Sequence, residues 1–545
     1  MKYFAALAAL LPLVAGARSE SYDLIIRHGR VVDGSGNPAF FADVGVKKGR
    51  IAAIGVIPGK AKTEIDASGL VVAPGFIDVH THADELGASR RARSSTNSEP
   101  AFESWQQRAE NFARMGVTTV VVGNCGGSAL DVGRFFDNVK RNKISINAAT
   151  LIGHNTVREK AMGGSFDRPP TVEELATMKD YVDKAMKDGA VGLSTGLIYL
   201  PGVFSKSDEI VELAKVASAY GGIYVSHMRH EDSKIYEALD ELIRVAREAH
   251  IRAEVSHIKL AGERSWHHAD KVLAYIEKAR AEGLDITQDQ YAYTASSTTM
   301  RQLIPDEAFD GGKKTFLAII GDPAKKAKLV SDMKAKLHNR GREDYAYAVI
   351  ASYRHDKSLN GLNIVEATKK VRGSDSLEEQ IEMVLDLEKN GSASGVFHGM
   401  NEQDLATFMR HPNTMIACDS GLRKFGESVP HPRGYGNNAR VLGRYVRELK
   451  VLRLEDAIRK MSSLPANTFQ LKGRGELREG NWADIVVFDP EKVNDPATYN
   501  DPHHYATGIP HVLVNGVPVI KNGEHTGAKS GMGLQHLSPL AVARD

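Results

Sequence analysis

The sequence predicts an α/β protein: a (β/α)8 TIM-type barrel, with a small β-sandwich domain formed by both chain ends and an insertion between barrel strands 7 and 8. Three observations predict it. Apolar strand-like runs alternate with helical stretches through the middle of the chain, the pattern of βα units around a parallel sheet. Short hairpin-like runs occupy both ends. The length, 545 residues, exceeds an ordinary domain yet suits one barrel with attachments.

Taken in order, residues 1–17 read as a signal peptide: a basic Met1-Lys2-Tyr3, an apolar run Phe4 to Ala15, and a small-residue site Ala15-Gly16-Ala17. Export to the periplasm or outside is expected, and the run is too short to leave a stable membrane anchor after processing. Residues 22–70 carry short strands around the turns His28-Gly29 and Lys48-Gly49. The same texture returns within 466–535, in Ala483 to Phe488 and His511 to Val519, so the two ends are expected to share the sandwich.

Residues 71–465 form the expected barrel. Eight strands are read at Val71–Val79, Thr118–Val122, Ile146–Ile152, Ala190–Leu193, Ile223–Ser226, Arg252–Ser256, Asp285–Asp289 and Thr414–Ala417. A helix between two of them shows the logic: Thr171 and Glu174 make a capping box, Leu175, Met178, Val182, Ala185 and Met186 form an apolar stripe, and Gly189 ends it. Lys-rich amphipathic pieces over about 297–370 interrupt this rhythm and read as an inserted subdomain, while Ser89–Pro100 reads as a long loop.

Composition narrows the function classes. Hydrophobic residues at 42% and charged residues at 25% indicate a globular core. A formal net charge of +2 without basic runs gives no nucleic-acid footprint, so small-molecule partners are expected. Two cysteines make no disulfide framework.

The chemistry sits at strand ends. Phe76-Ile77-Asp78-Val79-His80-Thr81-His82 ends in His-X-His, and alternation would send both imidazoles to one face. Tyr224-Val225-Ser226-His227 and Glu254-Val255-Ser256-His257 end alike. Histidine is a common zinc ligand, and active sites of such barrels lie at this face. His230 lies beyond its strand end and is set aside. Cys125, closing the second strand, is either a metal ligand or an inert buried thiol. A bridge to Cys418 is disfavoured, because alternation turns Cys418 away from the side that Asp419 faces. Asp419, at the end of the eighth strand, reads as a general acid/base beside a metal, with a helix N-cap as the alternative.

This constellation resembles the amidohydrolase superfamily and, within it, the D-aminoacylases (N-acyl-D-amino-acid deacylases). Shared motifs include Gly75-Phe76-Ile77-Asp78-Val79-His80-Thr81-His82, Gly192-Leu193-Ser194-Thr195-Gly196-Leu197, His431-Pro432-Arg433 and Ser462-Ser463-Leu464-Pro465-Ala466. The strand-two cysteine discriminates it from hydantoinase-like relatives, which place a carboxylated lysine on strand four, where this chain has none. The resemblance implies a tight zinc on Cys125, His227 and His257, with His80 and His82 joining Cys125 in a second, weaker site. It implies hydrolysis of N-acyl-D-amino acids by metal-activated water, with Asp419 as general acid/base; an amidase acting on L-substrates is the alternative. It also implies that Lys259, Tyr199, Tyr291, Ser296 and Arg433 meet the substrate carboxylate, and that Ile198, Phe397 and Met400 line its side-chain pocket. The chain departs from the family at His398 and at Asn437-Asn438.

Overall fold

The computed structural model describes residues 21–88 and 103–536. The expected signal peptide and the Ser89–Pro100 loop therefore lie outside the described residues. The fold is mixed α/β. Its parallel strands pair in chain order: Phe76–Asp78, Val117–Val122 and Asn147–Thr150, then Ile152–Gly153, Gly192–Gly196, Ile223–His227, Arg252–Val255, Ile286–Gln290 and Thr414–Ile416. Ser420–Gly421 then returns to pair in parallel with Thr81–His82.

Strand alternation explains how this circuit is filled. Ile77, Val79, Val121, Ala149, Leu151, Ile223, Val225, Met415 and Ala417 share one small core, while their neighbours Phe76, Val120, Val122, Ala148, Ile152, Tyr224 and Ile416 pack with the helices. Each Val, Leu, Ile, Met or Phe among them contributes about 1.5–3 kcal/mol by leaving water. Cys418 falls in the helix-side core, and both cysteines are free. The helix Val172–Lys187 carries the expected capping box, in which Thr171 Oγ1 accepts from the Glu174 amide at 3.2 Å and Met178, Val182, Ala185 and Met186 are buried.

Both chain ends meet in one nine-stranded sheet. Tyr22–Val31 pairs with Phe40–Lys47, Ala61–Asp66 and Val71–Pro74, and Ile485–Phe488 joins the far side of Val71–Pro74. This corrects the reading of Val71–Val79 as a single strand. Val71–Pro74 belongs to the end sheet, and Phe76–Asp78 opens the parallel series. Gly75 makes the join, because a Cβ there would meet Thr118 Cγ2 at 2.3 Å.

The inserted unit is also larger than expected. Ala295–Thr299 and Ala348–Ser352 flank the antiparallel strand Ser394–His398, and a separate core runs from Met300 through Phe316, Met333 and Val384 to Phe397. Its closing strand comes late in the chain, so the amphipathic pieces alone understate its extent.

Candidate metal centre and active-site cavity

Most of the candidate residues stand where a parallel strand ends. Cys125, His257 and Asp419 have φ of 53°, 35° and 51°. A left-handed backbone is costly for non-glycine residues, and such outliers concentrate at functional sites. His227 is the last residue of its strand. His80 lies in the bend between the strands Phe76–Asp78 and Thr81–His82, so the two histidines reach the site through that bend and not by simple alternation. Asn124 Nδ2 holds that bend, donating to the Val79, Thr81 and Val121 carbonyls at 3.1, 3.4 and 3.0 Å.

The ligand atoms converge. Cys125 Sγ lies 3.3 Å from His80 Nε2, 3.4 Å from His227 Nδ1 and 3.8 Å from His257 Nε2. His257 Nε2 and His227 Nδ1 are 2.7 Å apart. Asp419 Oδ1 sits 3.1 Å from His82 Nε2 and 3.6 Å from His80 Nε2. Within 4.8 Å, His80 groups with Cys125 and His257, and also with His82 and Asp419. Burial would raise the Cys125 thiol, but the imidazoles of His80 and His227 outweigh it and hold it well below the usual thiol value. A thiolate facing imidazole nitrogens, with His227 Nε2 buried and without a hydrogen bond, is a donor set that a borderline-soft cation satisfies. The residues therefore fit a metal.

The metal-facing groups have their own supports. His80 Nδ1 faces Asp289 Oδ2 at 3.2 Å, and Asp289 Oδ1 accepts from the His257 amide at 3.0 Å. Glu231 Oε1 lies 3.0 Å from His257 Nδ1 and accepts from Lys259 Nζ at 2.5 Å. Burial would raise Glu231, but Lys259, His227 and His257 hold it well below the carboxylate range. Sequence reasoning missed both carboxylates. Asp289 is the penultimate residue of the polar strand Ile286–Gln290, and an acid so near a strand end was an available signal; Glu231 follows His227 by four residues in a loop, where nothing local marks it.

A cavity of about 1280 Å³ opens over this centre, lined by His227, His257, Asp419 and the candidate substrate residues Ile198, Tyr199, Lys259, Tyr291, Ser296, Phe397 and Met400. Ser296 and Phe397 are cross-strand partners. Tyr199 packs edge-on against His227, and its hydroxyl accepts from Thr298 Oγ1 at 3.1 Å. Arg433 lies beside the cavity, its Nη1 2.9 Å from Asp419 Oδ2 and its guanidinium 4.5 Å above the Tyr291 ring. Lys259 is not a free cation, since Glu231 already pairs with it. His230, set aside on its position, does line the cavity. His398 stacks edge-on against Tyr499. Asn437 and Asn438 are buried, and Asn437 Oδ1 accepts from the Ala292 amide at 2.9 Å.

Comparison with known proteins shows the family. The profile of the Amidohydro_3 amidohydrolase family matches residues 63–520. A D-aminoacylase of Alcaligenes xylosoxydans xylosoxydans is 35% identical, covering 94% of this chain and 97% of that protein. An N-acyl-D-glutamate deacylase of the same organism is 34% identical, over 92% of this chain and 94% of the other. The crystal structure of N-acyl-D-glutamate deacylase from Bordetella bronchiseptica, complexed with zinc and a phosphonate inhibitor, superposes with a TM-score of 0.79 at 31% identity, covering 95% of this chain and all of that one (100%).

Proposed function

The chain belongs to the amidohydrolase family, with the D-aminoacylases, and from that premise we propose that it hydrolyses the amide bond of N-acyl-D-amino acids to a carboxylate and a free D-amino acid. One observation carries the reading: Cys125, His227 and His257 converge near a buried carboxylate, Asp419, and His227, His257 and Asp419 line one cavity. The D-handedness is taken from the relatives. The scaffold in this reading is a (β/α)8 barrel, to which both chain ends add a β-domain. Among the described residues no helix is long and apolar enough to cross a membrane, and export is proposed from residues 1–17 alone.

Cys125, His227 and His257 would hold one tight zinc, and His80 and His82, with Cys125, a weaker second. Zinc supplies Lewis acidity at the attacked carbonyl and makes water acidic enough to attack at neutral pH. Asp419 takes the proton of the attacking water at a carboxylate oxygen and returns it to the departing amine nitrogen. Burial would raise Asp419, but Arg433 first, then His80 and His82, hold it well below the carboxylate range, so it is ionised and ready to accept. Arg433 Nε is buried without a hydrogen-bond partner. A substrate carboxylate docked there would draw the guanidinium from Asp419 and make Asp419 the stronger base. Tyr199, Tyr291, Ser296 and Lys259 complete the carboxylate end, while Ile198, Phe397 and Met400 receive the side chain.

The test is release of amine from N-acetyl-D- and N-acetyl-L-methionine by the zinc-loaded protein, with Cys125→Ala and Asp419→Asn alongside. D-selective turnover lost in both variants is the expected result. Equal or L-selective turnover would overturn the substrate reading in favour of a broader amidase.

A further inference from the structure

The cavity is too large for an N-acetyl amino acid. At about 1280 Å³ it exceeds the roughly 300–1,000 Å³ that holds a drug-sized ligand. Beyond the reactive groups it reaches the inserted unit, where the helix Pro323–Asn339 turns a whole face toward it. Lys325, Lys328, Leu329, Asp332 and Lys336 recur at three- and four-residue spacing, and all line the cavity. Apolar wall comes from Val203, Ile319, Leu329 and Met400.

The charges on that helical face are not balanced from within. Lys328 pairs with Asp332 at 2.6 Å. Lys325 and Lys336 have no ion pair among the described residues. Lys336 Nζ donates to the Ile304 carbonyl at 3.0 Å, and burial, with Arg340 nearby, pushes its ammonium down to about 8. Asp306 and Glu307 also line the cavity and partly offset the charge of Lys336, but neither forms an ion pair among the described residues, and burial pushes Asp306 toward its neutral form. A lysine without an ion pair, at the end of the apolar stretch formed by Val203, Ile319, Leu329 and Met400, suits an anion carried on an aliphatic chain.

We propose that the preferred substrates carry a long acyl chain ending in a carboxylate, a dicarboxylic acyl group whose methylenes lie along the apolar wall and whose distal anion meets Lys336. The proposal rests on the deacylase reading and names its acyl class. Hydrolysis of such a substrate adds water across the C–N bond and releases the diacid and the D-amino acid.

The test compares N-acetyl-, N-octanoyl- and N-(7-carboxyheptanoyl)-D-methionine with the zinc-loaded protein, Lys336→Met and the exposed-site variant Lys325→Met. The carboxyheptanoyl substrate should exceed the octanoyl one by about tenfold in kcat/KM, the worth of one hydrogen bond to a charged group. That ratio should fall toward one in Lys336→Met and stay near the wild-type value in Lys325→Met, about three turns away along the same helix. Equal or better octanoyl turnover, or a ratio unchanged in Lys336→Met, overturns the proposal. Failure of the deacylase reading looks different, with none of the three substrates turned over. Calorimetric binding of the same compounds then decides: about tenfold tighter binding of the carboxyheptanoyl compound supports the proposal, and equal affinity overturns it.

Discussion

Asp419 Oδ2 and Arg433 Nη1 stand 2.9 Å apart, with both side chains almost fully buried. A carboxylate and a guanidinium enclosed together depend on each other, because removing either strands a charge in a medium that solvates it poorly. Every role assigned to Asp419 therefore involves Arg433.

Asp419→Asn should lower kcat for N-acyl-D-amino acids by about 10²- to 10⁴-fold, the range for losing a positioned general acid/base. The variant keeps the shape of the side chain, so circular dichroism should be unchanged while its melting temperature drops. Wild-type kcat in a folded variant would remove Asp419 from the chemistry.

Arg433→Lys keeps the charge but loses the planar fork that reaches both a carboxylate and the Tyr291 face. KM should rise by roughly tenfold. An unchanged KM with intact folding would assign the substrate carboxylate to other groups.

Cys125→Ala should abolish tight zinc binding, because its sulfur lies against His80, His227 and His257 together. His82→Ala should leave that zinc in place, since His82 faces Asp419 and stands at the margin of the cluster. Elemental analysis after dialysis against a mild chelator separates the two; equal zinc content in both variants would contradict the assignment. Asp289→Asn, acting on His80 and the His257 backbone, should weaken zinc affinity by about 10- to 100-fold.

Glu209 supplies a pH test away from the centre. Its Oε1 is 2.8 Å from His154 Nε2, and its other oxygen pairs with the fully buried Arg158. Burial would raise its pKa, but His154 and Arg158 hold it below the usual glutamate value. A depressed folded pKa contributes stability that is complete above the unfolded value, about 4.3, and lost as pH falls through the folded one. Glu209→Gln should therefore cost about 3–5 kcal/mol at pH 7. In urea unfolding the gap to wild type should hold down to about pH 5 and close below pH 4. A gap that widens with acid would refute this pairing.

Much of the centre was legible because its signals are local. His227 and His257 end runs whose apolar alternation marks them as strands, and Cys125 and Asp419 do the same one turn of chain later. Less legible was where strands belong. Val71 to Val79 is one apolar run, yet it serves two sheets, and the break at Pro74-Gly75 gains meaning only against Thr118. The lysine-rich helices gave no sign of the strand Ser394–His398 that packs with them, since that strand is recognised only by pairing with Ala295–Thr299.

By itself, then, the sequence determined the alternating strand-and-helix order and which side chains stand at strand ends, because both follow from periodicities a few residues long. Tertiary structure alone decided that Asp289 supports His80 across 209 residues, that Glu231 occupies Lys259, and that Arg433 pairs with Asp419. Those are contacts between charges brought together by packing. The electrostatics of a buried group depend on every neighbour it acquires when the chain closes, and no stretch of sequence read alone contains them.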